Sequence, residues 1–475
     1  MFNKTLFNYL FVFFILAQTS QGQQTSGKRY AITDVTVIPM NKEISLPKQT
    51  VIIENGIIKK IGSTATTKIG SGVTIIDGMG KYLLPGFFDM HVHFFYEQGG
   101  HKNTCETELK MMLANGLTTV RILAGHPAYL EARSNVMVGK WPGPDLFIAS
   151  PQLVGSWPWS TEFKNYDIVD TKEKAVNAVR KFKQDGYDEI KITFMVRREI
   201  YDDVINTAKQ EKIKVTGHVG PLVKLPRALE TGQQIEHMDE FIDMLLPDTS
   251  YNHGQSVSDM NIWRKEAWAT VPFLDETKIP ALAKLVKDAG IYVSPTNFFF
   301  ISTFGEGVTE EQAKQSPGYE YIPPVIKEER WENWKHYNKN LPLIESRRKY
   351  VELRKKMVNE LWKAGVPLMA GSDSPEFFLV HGFSLHDELE MFVKAGLTPF
   401  AALQTSTINT ATYLGVDKIK GTIEAGKVAD LLLLDKNPLE DIRNTRSINT
   451  VFKGKKMYDK NVLLQMLEEA KMLGK

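Results

Sequence analysis

The feature that most limits the possible folds is a regular alternation of short β-rich runs with amphipathic helical stretches, which starts near Gly86. Helical patterns such as Thr171 to Gln184 and Arg198 to Gln210 separate the β-rich runs. The predicted strands are Phe87 to His93, Thr118 to Leu123, Leu146 to Ser150, Glu189 to Phe194, Lys214 to Val219, Gln234 to Met238, Tyr292 to Thr296 and Pro367 to Ser372. Eight strands that alternate with helices predict an α/β fold, a (β/α)8 TIM-like barrel. An open doubly wound sheet is the alternative, but it predicts a glycine-rich phosphate turn that we do not find in the sequence.

Both ends of the chain flank this region with β-rich sequence. The segment from Tyr30 to Lys81 has strand patterns and the hairpin signal Asn55-Gly56, and β character returns after Gly421. We predict that the two ends form one discontinuous β-sandwich domain, from residues 23–85 and 410–475. Residues 86–409 are then the barrel.

One interval within the barrel is too long. From His237 to Asp373 the chain has 136 residues for two strand–helix units, and units of roughly 30 residues leave about 75 extra. This large insertion, at about residues 240–365, is rich in aromatic residues: Trp263, Trp268, Phe298, Phe299, Phe300, Trp331 and Trp334. An insertion after a barrel strand lies on the face where barrel active sites sit, so it is predicted to form a lid or to add helices that pack on the barrel.

Residues 1–22 predict a signal peptide. Lys4 precedes an apolar run from Leu6 to Ala17, and the small residues Ser20 and Gly22 follow. The run is about half the length that a bilayer crossing needs, so we expect cleavage and a secreted or periplasmic protein. An uncleaved anchor is the alternative. The net charge of +2 favours neither nucleic acid nor an anionic membrane surface as a partner, and the single cysteine excludes a disulfide framework.

Histidines and other polar residues end several predicted strands. His91 and His93 stand one residue apart on the first strand, so their side chains share a face and can converge on one point. Two imidazoles so placed make half of a divalent-metal site, and an accidental His-x-His is the alternative. Later strands end in further candidates: Lys191, His218, His237 and Asp373. Four imidazoles, a carboxylate and a lysine at one barrel mouth predict a metal site.

These motifs resemble those of the amidohydrolase superfamily, and within it the imidazolonepropionase-related and Xaa-Pro dipeptidase-like branch. The resemblance spans roughly residues 30–458. The resembling stretches are Asp77-Gly78-x-Gly80-Lys81-x-x-x-Pro85-Gly86-x-x-Asp89-x-His91-x-His93, Gly116-Leu117-Thr118-Thr119-Val120-Arg121, Ala370-Gly371-Ser372-Asp373 and Gly421-Thr422-Ile423-Glu424-Ala425-Gly426-Lys427-Val428-Ala429-Asp430-Leu431.

The resemblance implies a role for each candidate. His91 and His93 would bind a first divalent metal, with Asp373 bridging toward its hydroxide, and His218 and His237 would bind a second. Lys191 resembles the lysine that such enzymes carboxylate to bridge the two ions, which requires that the lysine lose its proton. Two zinc ions are expected, with manganese or iron as alternatives.

The predicted function is hydrolysis of an amide-type C–N bond in a small substrate, a dipeptide or an N-acyl amino acid, by metal-bound hydroxide. Asp373 would act as general base and then as general acid. The run Ile192 to Met195 is bulkier than in dipeptidase-like members, which leaves the peptide substrate open. His381 could reach the substrate, whereas His386 is expected on an ordinary helix. Members of this group often pair into a homo-oligomer, and the sequence leaves the oligomeric state open.

Two alternatives remain open. One is a mononuclear hydrolase of a cyclic amide, an amidine or a lactone, in which Lys191 is structural and one metal lies on His91, His93, His218 and Asp373. The other is an inactive barrel that serves as a binding protein. The number of bound metal ions separates these alternatives from the dinuclear enzyme.

Overall fold

The structure is a computed structural model. It describes residues 28–94, 105–156, 166–238, 240–246, 271–305, 309–338 and 344–473. The predicted signal peptide, Trp263 and Trp268 lie outside the described residues.

Seventeen strands and a series of helices make up the described part of the chain. The strands are β1 (Arg29–Val37), β2 (Leu46–Glu54), β3 (Ile57–Ser63), β4 (Thr74–Asp77), β5 (Tyr82–Pro85), β6 (Phe87–Val92), β7 (Leu117–Ile122), β8 (Asp145–Ile148), β9 (Gln152–Val154), β10 (Tyr166–Ile168), β11 (Glu189–Ile192), β12 (Lys214–Gly217), β13 (Gln234–Glu236), β14 (Val293–Ser294), β15 (Leu431–Leu434), β16 (Ile448–Lys453) and β17 (Lys456–Asp459). The α-helices are Cys105–Ala114, Pro127–Met137, Lys172–Asp185, Arg198–Gln210, Leu225–Thr231, Ile279–Asp288, Asn297–Phe304, Glu310–Lys314, Pro324–Asn338, Ile344–Lys363, Phe383–Lys394, Pro399–Thr405, Ile408–Leu414 and Lys460–Leu473.

Strands from both ends of the chain form one mixed sheet, in the order β17-β16-β15-β5-β1-β2-β3, with β4 beside β1. The two ends meet where β15 pairs antiparallel with β5. Asn55 and Gly56 have φ values of 53° and 80°, as a two-residue hairpin requires, and they join β2 to β3 as the sequence predicts. The strands belong to one hydrogen-bonded sheet. Its division into two facing layers, and the domain boundaries, stay predictions.

Parallel strands make up the rest of the sheet structure. β6, β7 and β8 form one sheet, and the order in the other is β10-β9-β11-β12-β13-β14. Isolated parallel bridges link Ala149 to Glu189, Val293 to Leu368 and Val92 to Ser374. Seven of the predicted barrel strands are therefore present as strands, and residues 367–374 supply bridging partners in the eighth place. Helices alternate with these strands, which confirms the α/β class.

The predicted insertion divides into two parts within the described residues. One part follows β13 and leads into the helix Ile279–Asp288, and the other lies between β14 and the helix Ile344–Lys363. Trp331, in the second part, packs against Phe378 with ring centroids 4.3 Å apart and the ring planes tilted by 40°. Both parts follow the carboxyl ends of parallel strands, so both belong to the face that carries the candidate site. A lid role stays a prediction.

The C-terminal helix Lys460–Leu473 was not predicted, since the sequence analysis assigned residues 410–475 to a β-sandwich. This helix packs on the helix Cys105–Ala114, and Lys110 forms an ion pair with Glu469 at 3.1 Å. The last helix therefore lies against the parallel-strand region. Within the described residues, no helix combines the length and the apolar character needed to cross a bilayer.

Candidate metal centre

Three of the predicted ligands converge on one point. Nε2 of His91 lies 3.2 Å from Oδ1 of Asp373, and Nε2 of His93 lies 3.3 Å from the same oxygen. All three donor atoms lie within 4.8 Å of one another. Donors bonded at about 2.0 Å to one tetrahedral ion are separated by about 3.3 Å, so the arrangement fits a divalent metal.

Backbone hydrogen bonds hold this group together across two chain segments. The amide of Asp373 donates to the carbonyl of His91 at 2.8 Å, and the amide of His93 donates to that of Ser374 at 2.8 Å. Oδ1 of Asp89 accepts from the amides of His91 at 3.2 Å and Ser372 at 2.9 Å. The ligand-bearing ends of β6 and of residues 367–374 are therefore fixed side by side.

A buried ionic network orients His91 from below. Nδ1 of His91 lies 3.0 Å from Oε2 of Glu236, whose other oxygen accepts from Arg121 at 2.6 Å. Burial by itself would raise the pKa of Glu236, but the guanidinium of Arg121 and the hydrogen bond with His91 together outweigh burial and lower that pKa. Glu236 is therefore ionised and accepts the Nδ1 proton, which leaves the Nε2 lone pair of His91 facing Asp373.

The electrostatics suit metal ligation. Burial lowers the pKa of His91 to about 4, despite the opposing effect of Asp373. Burial by itself would raise the pKa of Asp373, but His91 and His93 outweigh it and hold that pKa below its usual value. A neutral imidazole and an ionised carboxylate are the forms that bind a cation.

His218 and His237 lie next to this group. Their rings stack with centroids 4.6 Å apart, and the ring of His237 is 4.5 Å from that of His91. Nδ1 of His237 lies 3.7 Å from Oδ2 of Asp373 and 2.7 Å from the hydroxyl of Thr296. Burial lowers the pKa of His237 well below its usual value. The predicted second-metal ligands therefore adjoin the first group.

Lys191 lies at the same candidate metal centre. It is buried on β11, and its charge acts on the pKa values of His91, His237 and Asp373. Its backbone amide donates to Ser150 Oγ at 3.0 Å. This placement accords with the predicted bridging position, and carboxylation of Lys191 stays a prediction.

The two histidines that follow the eighth strand position are both buried. Nε2 of His381 donates to the carbonyl of His93 at 2.7 Å, so this ring supports the backbone of a ligand. His386 lies on the helix Phe383–Lys394, as predicted, with Nε2 3.1 Å from the carbonyl of Asn115.

Sequence reasoning did not assign Glu236 or Arg121 to the site, although both are charged residues within apolar strand patterns. Glu189 and Tyr413 complete their network. Arg121 Nη1 lies 3.2 Å from Glu189 Oε2 and 3.1 Å from the hydroxyl of Tyr413, which donates to Glu189 Oε1 at 2.6 Å. A buried charge needs a partner, and that rule could have paired Glu236 with Arg121.

Comparison with known proteins decides the family. The amidohydrolase family profile matches residues 82–457. The chain belongs to the amidohydrolase family. This membership confirms the predicted resemblance, supports a hydrolase that acts on C–N bonds, and implies a fold that contains a TIM barrel.

Individual relatives of this amidohydrolase match it either over a short stretch or at low sequence identity. A stretch of 92 residues is 38% identical to imidazolonepropionase of Thermoplasma volcanium, and covers 19% of this chain and 22% of that protein. The match thus spans less than a quarter of that relative. Among solved structures, bottromycin amidohydrolase superposes with a TM-score of 0.72 at 21% identity, over 94% of this chain and 90% of that one. A Xaa-Pro dipeptidase with bound methionine gives 0.65 at 21% identity, over 91% and 100%. At these identities the two structures show the fold alone.

Proposed function

We propose that this amidohydrolase is an exported metal-dependent hydrolase that cleaves an amide-type C–N bond in a dipeptide or an N-acyl amino acid. The observation that carries the proposal is the meeting of His91 Nε2, His93 Nε2 and Asp373 Oδ1 at distances that fit one divalent ion. Isolated parallel bridges join the two parallel sheets to each other and to residues 367–374 in the eighth strand position, and this arrangement further supports a closed barrel around the site.

His91, His93 and Asp373 would hold a first ion, and His218 and His237 a second, with carboxylated Lys191 between them. Zinc suits this donor set, and manganese or iron are alternatives. When bound, such ions polarise a carbonyl oxygen and lower the pKa of a water molecule toward neutrality.

Asp373 would move the proton. Its Oδ1 faces His91 and His93, whereas Oδ2 is turned toward His237, so Oδ2 is the atom that would accept the proton of the attacking water. The hydroxyl adds to the carbonyl carbon, the C–N bond breaks, and Oδ2 returns the proton to the leaving nitrogen.

The test is Asp373→Asn, which keeps the shape but removes the base. Turnover of any substrate found should fall by at least about 100-fold, with metal still bound by elemental analysis. Asp387→Asn is the control, because Asp387 is half-buried, pairs with Arg446 at 2.6 Å and is not one of the candidate ligands. An Asp373→Asn protein that stays as active as Asp387→Asn would refute the assigned role.

Metal counting separates the dinuclear from the mononuclear enzyme. Close to two ions per chain, falling to one or none in Lys191→Ala, supports the bridged pair. If the wild type binds one ion and Lys191→Ala retains it, the result supports the second candidate, a mononuclear hydrolase of a cyclic substrate. That candidate is favoured by the convergence of three donors on a single point. Failure to bind any divalent ion would favour the binding-protein alternative.

A hydrolysis screen of dipeptides, N-acyl amino acids and cyclic amides with the metal-loaded protein tests the substrate class. Export is tested separately, by mass spectrometry of the mature protein after expression of the full chain. Removal of residues 1–22 is the expected result, and an intact amino terminus in the cytoplasm contradicts export.

A further inference from the structure

Arg354 is a buried cation that contacts the backbone of the candidate site. It belongs to the helix Ile344–Lys363 and has no exposed surface. Its Nη2 donates to the carbonyl of His237 at 2.9 Å and to that of Pro295 at 2.7 Å, and its Nε donates to Oδ1 of Asn297 at 3.0 Å. One guanidinium thus ties together the chain just after β13 and just after β14.

The backbone at these points is strained. His237 has φ 64° and Thr296 has φ 44°, and residues other than glycine keep such left-handed conformations only where the surrounding structure enforces them. His237 is a predicted ligand, and the Thr296 hydroxyl lies 2.7 Å from its Nδ1. The conformation that presents the imidazole therefore depends on contacts from outside the two strands.

Neighbouring groups hold Arg354 in place. Its guanidinium carbon lies 3.9 Å from the centre of the Phe300 ring, and that ring is 5.7 Å from the ring of His237. The carboxylate of Glu388 accepts from the backbone amides of Asn297 at 2.9 Å and Phe298 at 2.6 Å. A planar guanidinium can serve several acceptors at once while it lies on an aromatic face, which an ammonium cannot do.

We propose that Arg354 is a positioning residue for the second metal position: it holds the His237 backbone so that this imidazole, with His218, can bind the ion. The inference rests on the proposed function for the existence of that ion. The contact comes from the helix Ile344–Lys363, which lies within the predicted insertion of about residues 240–365, so part of the insertion helps to set the geometry of the metal centre.

The experiment compares Arg354→Met with Arg347→Met. Arg347 lies two turns earlier on the same helix, is also buried, and donates to the carbonyls of Phe304 at 2.9 Å and Gly305. Neither arginine is itself a predicted metal ligand. In Arg354→Met we expect affinity for the second ion to fall 10-fold or more while the first ion stays bound. In Arg347→Met both ions should be retained.

Hydrogen–deuterium exchange provides a readout that does not depend on metal or activity. In the purified proteins, amides in residues 235–238 and 292–297 should exchange faster in Arg354→Met than in Arg347→Met. Arg354→Lys, which keeps the charge but not the fork, replaces Arg354→Met if the latter does not fold.

Each outcome has a separate meaning. Equal retention of both ions and equal exchange in the two variants would overturn the assignment to Arg354. Equal loss of metal in both would also overturn it, because the effect would then belong to the helix as a whole. A wild-type protein with no second ion contradicts the dinuclear function, and the exchange comparison still decides whether Arg354 holds the His237 backbone.

Discussion

Glu236 bears a fully buried negative charge beneath the candidate metal centre, and it links a ligand to the ionic network of the strands. It contacts His91 at 3.0 Å and Arg121 at 2.6 Å. Partners of this kind fix the tautomer and the orientation of a ligating imidazole. A test of Glu236 must therefore separate its effect on His91 from its effect on Arg121.

We predict that Glu236→Gln lowers metal affinity by about 10- to 100-fold, because the charged acceptor of the His91 proton is lost. Competition with a chromophoric chelator measures this affinity. Glu189→Gln is the matched control, since Glu189, on β11, also pairs with Arg121, at 3.2 Å. Equal loss of affinity in both variants would show that the ionic network, and not the contact with His91, carries the effect.

His386 gives a pH prediction at the same scale. Burial, reinforced by Arg446, lowers its pKa from 6.5 to about 3. The unfolded chain therefore takes up a proton between these values while the folded chain does not. The resulting stability is fully present above pH 6.5 and is lost as the pH falls toward 3.

Lowering the pH from about 7.5 to about 5.5 should reduce the unfolding free energy of the wild type. We predict that the reduction is roughly 1 kcal/mol smaller in His386→Gln. Urea unfolding at the two pH values measures the difference. Parallel changes in the two proteins would contradict the assigned shift.

At the scale of the element, the close approach of β12 to β11 places His218 at the candidate site. Gly217 has φ +125°, and a Cβ there would lie 2.1 Å from the carbonyl oxygen of Ile192. The same oxygen accepts the amide of His218 at 3.0 Å. A side chain at position 217 would therefore separate the two strands where the ligand begins.

We predict that Gly217→Ala lowers the unfolding free energy by at least roughly 1–3 kcal/mol and weakens metal binding through His218. Gly220→Ala should change neither by a measurable amount, because its Cβ would meet nothing closer than 3.6 Å. Thermal unfolding and metal titration of the pair test this. A Gly217→Ala protein as stable as Gly220→Ala would contradict the predicted clash.

The strands and the candidate ligands at their ends could be proposed from the sequence because their signals are local. Short β-rich runs between helical stretches mark the strands, and His91, His93 and Asp373 stand at the ends of predicted strands. Arg354 was beyond reach, because its contacts form only when a helix later in the chain packs beside the segments that follow β13 and β14. The helix Lys460–Leu473 was missed for another reason: its amphipathic pattern is present, but the preceding β-rich sequence was extended over it.

At the scale of the whole molecule, a cluster of four charges joins the mixed sheet to the parallel strands. Asp430, just before β15, accepts from Lys420 at 2.8 Å and from Lys453 at 3.0 Å. Asp145, at the start of β8, also pairs with both lysines. Asp430 is buried, so its loss leaves two cations short of a partner.

We predict that Asp430→Asn lowers the unfolding free energy by about 3 kcal/mol. Asp435, at the other end of β15, is the matched control, because its side chain is 34% exposed and its ion pairs with Lys81 and Lys460 are 3.9 and 3.5 Å long. Asp435→Asn should cost about 1 kcal/mol or less. Chemical denaturation of both variants provides the comparison, and equal costs would contradict a special role for the buried cluster.

The pairing of His91 with Asp373 has a consequence for biogenesis. The two residues are roughly 280 positions apart in the chain, yet their backbones are hydrogen-bonded and their side chains share one donor cluster. A ribosome must finish most of the polypeptide before this cluster can exist. Binding of the proposed metal would therefore be a late event in the life of each molecule. An ion held here would link the first and last parallel segments and slow their separation.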